Sequence, residues 1–418
     1  MRRWYQQLDF LSVFVWLCLC ACGLVAIYSS THGEAQEFLL STVQNSFQRQ
    51  LMWLGISLIA FVGTLLIPVN LLTRLAPLIY ISTIVLLIVA LVIGREVSGA
   101  RSWVYIGPYG FQSSELAKIG ALCMCAYLWT SRLELQKIFH RAGLIAAILV
   151  LPAMLIVLQN DLGTTLVFAG LIPVLWLCNG IPLRIVGVIL IFPIAGYLAI
   201  IHWMIAVGFI AVVGLVAWVG TRDFKWIGVG VLASALTIGM ATFALNYVFQ
   251  PYQVDRIVSF SNPEASEFRS GVGFHLVQSK AALGSGGFWG HGFKQGSQTQ
   301  GRYIPEQSTD FVFSVIGEEW GFVGSVLVLL LFASLILRLI WLSQSIEHPF
   351  ATCLICGVAG LFLIHVVINL GMVLGLLPVI GIPLPFFSYG GSALLTNSIL
   401  LGLALSIYMR RSELSLYR

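Results

Sequence analysis

An aspartate at position 310 follows Ser308 and Thr309 and precedes an uninterrupted apolar stretch. Such a carboxylate can cap a helix by accepting from its first backbone amides. On position alone the cap is the better reading; chemically, a carboxylate at the outer membrane face is the base that takes the proton from an attacking sugar hydroxyl, which an inverting glycosyl transfer requires. Glu306 lies just before it, whereas Glu318 and Glu319 fall two turns or more beyond and read as structural or relay groups. A second group of ionisable residues lies in the run SSELAK, where Ser113 or Ser114 can cap a helix and Glu115 and Lys118 share one helical face. The pair can neutralise itself so that the helix begins below the lipid headgroups, or it can face a cavity or a partner, as ionisable groups inside spans usually do. Asp161, in NDLGTT, is either a helix cap or a counter-charge for Lys118. The expectation is one buried cluster of Glu115, Lys118 and Asp161, whose lysine could also meet a pyrophosphate as a point charge.

Two further stretches carry polar information. Residues 250–321 include GVGFHLVQSKAALGSGGFWGHGFKQGSQTQ and GRYIPEQSTDFVFSVIGEEWGFVG. Amides and hydroxyls there can bond to sugar hydroxyls, aromatic rings can stack on sugar faces, and glycine allows close backbone approach. Gln278, Ser279 and Lys280 in QSKAALGSGG, Glu306 in PEQSTDF and Arg101 in GARSW are counted with Glu115, Lys118 and Asp161 as substrate-binding candidates, with Asp310 as the catalytic one. The phosphate-loop and dinucleotide glycine spacings are missing. His275 and His291 could be metal ligands, but isolated histidines in a polar loop are more often hydrogen-bonding surface residues. The last stretch, 377–392, reads LPVIGIPLPFFSYGGS.

The elements that must position these residues follow from composition. The chain has 418 residues, 59% of them hydrophobic and 9% charged, with a mean hydropathy of +0.95. That leaves too little polar surface for a soluble globule of this size. Apolar stretches near 9–30, 50–68, 75–94, 113–130, 143–159, 162–180, 184–201, 203–220, 226–249, 311–341, 350–376 and 388–408 predict twelve membrane-crossing helices. Residues 1–418 then form a single all-α integral membrane domain. Arg2, Arg3, Arg74, Arg132, Lys137, Arg141, Arg184, Arg222, Lys225, Arg338, Arg410, Arg411 and Arg418 fall on one side, against Arg49, Arg95 and Arg101 in short loops opposite. The positive-inside rule therefore puts both termini in the cytoplasm and turns the long 250–310 loop outward, together with all four polar stretches. The net charge of +5 sits on the cytoplasmic rim and reports orientation, not nucleic-acid binding. All eight cysteines lie in apolar spans, where they are expected to be small hydrophobes, free of disulfides or zinc.

Taken in order, GARSW, SSELAK, NDLGT, QSKAALGSGG, PEQSTDF, GEEWG and PLPFFSYGGS resemble the SEDS family, the shape, elongation, division and sporulation proteins, from the first span to the last. The wording GSGGFWGHGFKQGSQTQ followed by YIPEQ is similar to the RodA branch more than to the division branch, FtsW. The resemblance implies a core of ten helices, so that the pair at about 203–249 is an insertion. It implies a peptidoglycan glycosyltransferase joining lipid II units by β-1,4 bonds at the outer face of a bacterial plasma membrane. The family's essential aspartate falls at Asp310, and Glu115, Lys118 and Asp161 match polar positions around its central cavity. A class B penicillin-binding protein is the implied partner for cross-linking. No cofactor is demanded, with a divalent cation, magnesium or manganese, allowed for beside the pyrophosphate. The sequence departs from the family at Ser113 and Asn160, where proline is usual, and before Gly271, where PEASEFRSGVG replaces an Asp-Pro pair. A lipid II flippase or other transporter, and a scaffold without chemistry, are the rival classes, which a polymerisation assay separates.

Overall fold

In the computed structural model, residues 7–32, 44–97, 99–107, 109–130, 138–201, 203–221, 272–301 and 306–414 are described, with scattered positions between 228 and 254. The predicted span 226–249 and the divergent stretch 264–270 thus lie largely or wholly outside the described residues. The chain is predominantly helical and divides into two compact units. The larger comprises 1–179, 278–376 and 380–418, and the smaller 180–277 with 377–379.

The larger unit opens with α1 (Phe10–Thr31), α2 (Ser46–Leu65) and α3 (Val69–Ile93). A three-stranded antiparallel sheet follows, β1 (Arg95–Val97), β2 (Ala100–Ile106) and β3 (Tyr109–Gln112), in the order β1-β2-β3. The sheet departs from the all-α expectation, in which Arg95 and Arg101 lie in a short loop. The alternation in ARSWVYI and the turn at Gly107, whose φ is +62°, are the strand signals that were present. The chain continues through α4 (Ser113–Thr130), α5 (Ile138–Leu158) and α6 (Leu162–Cys178). The smaller unit holds α7 (Leu183–Ile201) and α8 (Trp203–Thr221), which pack on one another. Then come α9 (Val272–Ser285), α10 (Ser297–Gln300), α11 (Val312–Glu319), α12 (Gly321–Gln344), α13 (Pro349–Val373), α14 (Gly391–Met409) and α15 (Arg411–Leu414).

Among the described residues, six helices are long and apolar enough to cross a membrane: α1, α3, His140–Leu158 of α5, α12, α13 and α14, with α6 shorter. Their exposed faces are rows of Leu, Ile, Val and Phe, as lipid requires, while small residues let backbones approach one another. Any side chain at Gly120 would collide with Thr83 of α3, at Gly360 with Val174 of α6, and at Gly402 with Thr64 of α2.

Two expectations are corrected. The stretch 311–341 is not one unbroken helix: Gly321, at φ +62°, turns the chain between α11 and α12. A β-carbon there would run into the backbone at Gly290, so that turn is reserved for glycine. Cys178 and Cys356 are disulfide-bonded, tying the end of α6 to α13, whereas the sequence suggested unpaired apolar filler. The two cysteines are 178 residues apart, and only the antiparallel packing of α6 on α13 brings their Cα atoms to 6.4 Å.

Candidate functional site

The first turn of α4 sends its polar side chains in two directions. Ser114 donates to Asp161 Oδ2 at 3.0 Å, as does Gln112 Nε2 at 2.8 Å. Asp161 is the N-cap of α6, accepting from Thr164 N at 3.0 Å and from its hydroxyl at 3.0 Å. One residue further along α4, Glu115 is buried and pairs with Lys118, Oε1 to Nζ, at 2.7 Å. Lys118 is fully buried, and its ammonium also lies 3.2 Å from Nε2 of His365, itself buried on α13. The expected three-residue cluster is therefore two groups. Asp161 is satisfied by hydroxyl and amide donors, and among the described residues the counter-charge of Lys118 is Glu115. The second oxygen of Glu115, Oε2, is buried with no hydrogen-bond partner.

Residues 306–311 form a tight turn. Glu306 takes a left-handed conformation, φ +52°, and its carbonyl oxygen accepts from the amides of Thr309, Asp310 and Phe311. The Glu306 side chain is exposed and accepts from the Thr309 hydroxyl at 3.0 Å. Gln307 donates to Ser30 O of α1 at 2.9 Å, and the amide of Tyr389 donates to Ser308 O at 2.8 Å. Asp310 closes the turn, partly exposed, and Phe311 rather than Asp310 occupies the N-cap position of α11. The helix thus starts one residue later than the cap reading of Asp310 assumed. Asn369 of α13 donates both amide protons at once, to Asp310 O at 2.8 Å and to Ile382 O at 2.7 Å. Beside Ile382, Gly381 has φ +80°, and a β-carbon there would lie 3.2 Å from Asp310 Oδ2.

The 380–390 stretch ties the parts together. Gly163, two residues after Asp161, packs on the carbonyls of Ile380 and Gly381 and on the side chain of Ile382. Pro383 O lies 3.3 Å from His365 Nδ1. Gln50 of α2 donates to Ser388 O at 3.2 Å and accepts from the Gly390 amide at 3.2 Å. Four sequence stretches spread over about 280 residues thus converge at one end of the bundle: the start of α4, the cap of α6, the 306–311 turn and the 380–390 loop.

The GEEWG acids have a structural task. Glu318, fully buried, accepts from the amides of Gln298 at 2.7 Å and Thr299 at 2.8 Å, and from the Thr299 hydroxyl. Glu319 accepts from Ser29 and from Gln300 Nε2. Together they fasten α10 and the glycine-rich 286–301 loop to α11 and α1. Ser279 is likewise buried, bonding to Ser314 and to Val373 O, so it holds α9 in place. Gln278 is half-buried and Lys280 exposed on the same helix, and Arg101 is exposed on β2. Among the described residues, no three His, Cys, Asp or Glu side chains gather as a metal site, and His291 is exposed in its loop.

A family model described as cell cycle protein, FtsW/RodA/SpoVE, matches residues 9–209 and 204–413. The chain belongs to this family. It is 32% identical to the peptidoglycan glycosyltransferase RodA of Treponema pallidum over 98% of this chain and 99% of that one. It is 31% identical to the peptidoglycan glycosyltransferase MrdB of Escherichia coli K12, covering 88% of this chain and 87% of that one. A solved chain from a peptidoglycan synthase complex that coordinates polymerization and crosslinking superimposes with a TM-score of 0.72 at 29% identity, over 97% of this chain and 98% of that one. Family membership and six apolar spans make this an integral membrane protein. Sequence reasoning missed His365 and Asn369, although two polar residues four apart in an otherwise apolar span, just before LPVIGIPLPFF, are the signal that ionisable or amide groups in lipid provide.

Proposed function

We propose that this chain is a RodA-type peptidoglycan glycosyltransferase that polymerises lipid II into β-1,4 glycan strands at the outer face of a bacterial plasma membrane during elongation. The observation that carries the mechanism is the carboxylate of Asp310, backed by Gly381 where four family motifs meet. In this reading Asp310 takes the proton from the acceptor 4-hydroxyl as its oxygen attacks the donor's anomeric carbon. The bond to the pyrophosphate breaks, the glycosidic bond forms with inversion, and the lipid pyrophosphate leaves. Its charge is met by fixed positive groups, usually the largest catalytic contribution. We assign that contact to the exposed guanidinium of Arg101, supported from within by Lys118. Glu306, Gln278 and Lys280 are proposed to line the sugar path, with Ser279 and Asp161 shaping it from behind.

The topology proposed with it is a single domain of twelve crossings, both termini cytoplasmic, with 250–310 as the extracytoplasmic segment. A class B penicillin-binding protein is the proposed partner, in keeping with the solved complex that the chain resembles. The test is polymerisation of purified lipid II by the wild type and Asp310→Asn, each with its transpeptidase partner. Loss of polymer in an Asp310→Asn protein that still folds is expected. A parental rate in that variant would reject the base, and lipid movement across proteoliposomes without polymer would point to a flippase.

A further inference from the structure

We propose that Asn369 is a positioning residue for the reaction, acting through Asp310, an inference that rests on reading Asp310 as the base. Three observations carry it. Asn369 is completely buried in α13, and both of its amide protons are committed, one to the carbonyl of Asp310 and one to that of Ile382. The segment it ties to Asp310 is also the one that backs the carboxylate, since Gly381 approaches Asp310 Oδ2. One turn earlier on the same face, His365 bonds toward Pro383 O and Lys118, so a single stretch of α13 holds the catalytic turn, the 380–383 loop and the buried ion pair. Asp310 sits in a turn outside any helix, and without the amide its backbone carbonyl loses a hydrogen bond to α13. A primary amide is the side chain suited to this: it offers two donors from one nitrogen at fixed spread, which a hydroxyl or a carboxylate cannot. Position matters more than binding here, because a shift of about 1 Å in a catalytic group can cost roughly 100-fold in rate.

The experiment compares kcat and KM for lipid II polymerisation in Asn369→Leu, nearly isosteric but without donors, and in Asn369→Ser, which keeps one donor. Each is measured in the wild-type and Asp310→Asn backgrounds, with thermal unfolding of every variant in the same detergent. For Asn369→Leu the expected result is a kcat lower by about 100-fold with KM within about twofold, because only transition-state geometry is lost. Asn369→Ser should fall between Leu and the parent. In the Asp310→Asn background neither change should lower the residual rate further. An Asn369→Leu enzyme at the parental kcat, beside an inactive Asp310→Asn, would overturn this proposal alone. Losses that multiply in the double variant would overturn it too, since they would mean a general structural role. Should Asn369→Leu fail to fold, Asn369→Ser carries the same comparison. A fully active Asp310→Asn would instead remove the base on which the inference stands.

Discussion

Removing the charge of Lys118 while leaving Glu115 intact should destabilise this protein more than removing both charges together. The two are 2.7 Å apart with both side chains buried. At an effective dielectric constant of about 20 their mutual attraction is about 6 kcal/mol. Desolvation of each ion opposes this by several kcal/mol, so the pair as a whole is close to neutral for stability. Glu115 Oε2, buried without a hydrogen bond, adds to the opposing side. Lys118→Met strands the carboxylate and takes away the group facing His365 Nε2, and it should cost about 3–5 kcal/mol. Glu115→Gln strands the ammonium and should cost a similar amount. The double variant, neutral and of similar volume, should return to within about 1 kcal/mol of the parent. Unfolding free energies from SDS titration in mixed micelles, read by tryptophan fluorescence, measure all four proteins on one scale. Polymerisation should stay below the parental rate in the double variant even though stability returns, because the buried ammonium proposed to support Arg101 from within is gone while Arg101 itself remains. A double variant as unstable as the worse single one would refute the electrostatic argument, and so would singles within about 1 kcal/mol of the parent.

Glu318→Ala should leave the amides of Gln298 and Thr299 without an acceptor, at about 1–3 kcal/mol for each orphaned donor. Hydrogen exchange at 297–300 should speed up while exchange in the middle of α13 does not, which separates a local anchor from general unfolding. The Asp9 carboxylate, N-cap of α1, is bonded by Arg338 at 2.6 Å and by Ser12. Burial alone would raise its pKa, and the hydrogen bonds from Arg338 and Ser12 outweigh that and hold it below the usual carboxylate range. A folded value below the unfolded one means the contribution is complete above about pH 4 and is lost as pH falls through the lowered value. Asp9→Asn should therefore flatten the acid side of the stability–pH curve, by on the order of 1 kcal/mol for a part-exposed pair.

Which segments make up the candidate site was legible because lipid makes polar residues expensive. Glu115, Lys118, Asp161 and Asp310 stood out in the sequence as charged groups inside or beside apolar spans, and the structure gathers their segments at one end of the bundle. The partners of those residues were not legible. Asp161 and Lys118 were expected to meet because each needs compensation, yet hydroxyls from Ser114 and Thr164 satisfy one and Glu115 the other. Charge complementarity sets how much compensation is required, and it does not say which group of suitable chemistry lies nearest.

By itself the sequence determined the membrane character of the chain, the approximate positions of its described spans and its family. These follow from hydropathy over windows of a helix length and from motifs in order, both local properties of the chain. Only the tertiary structure decided that Asp310 ends a turn one residue before the N-cap position of α11, that Glu318 and Glu319 clamp the 286–301 loop, and that Cys178 meets Cys356. It likewise singled out Asn369, whose two bonds reach residues 59 and 13 positions away in the chain. Such contacts depend on how helices far apart in sequence lie against one another, and that is set by summed packing of small and large residues over whole interfaces. No window of the sequence contains that sum.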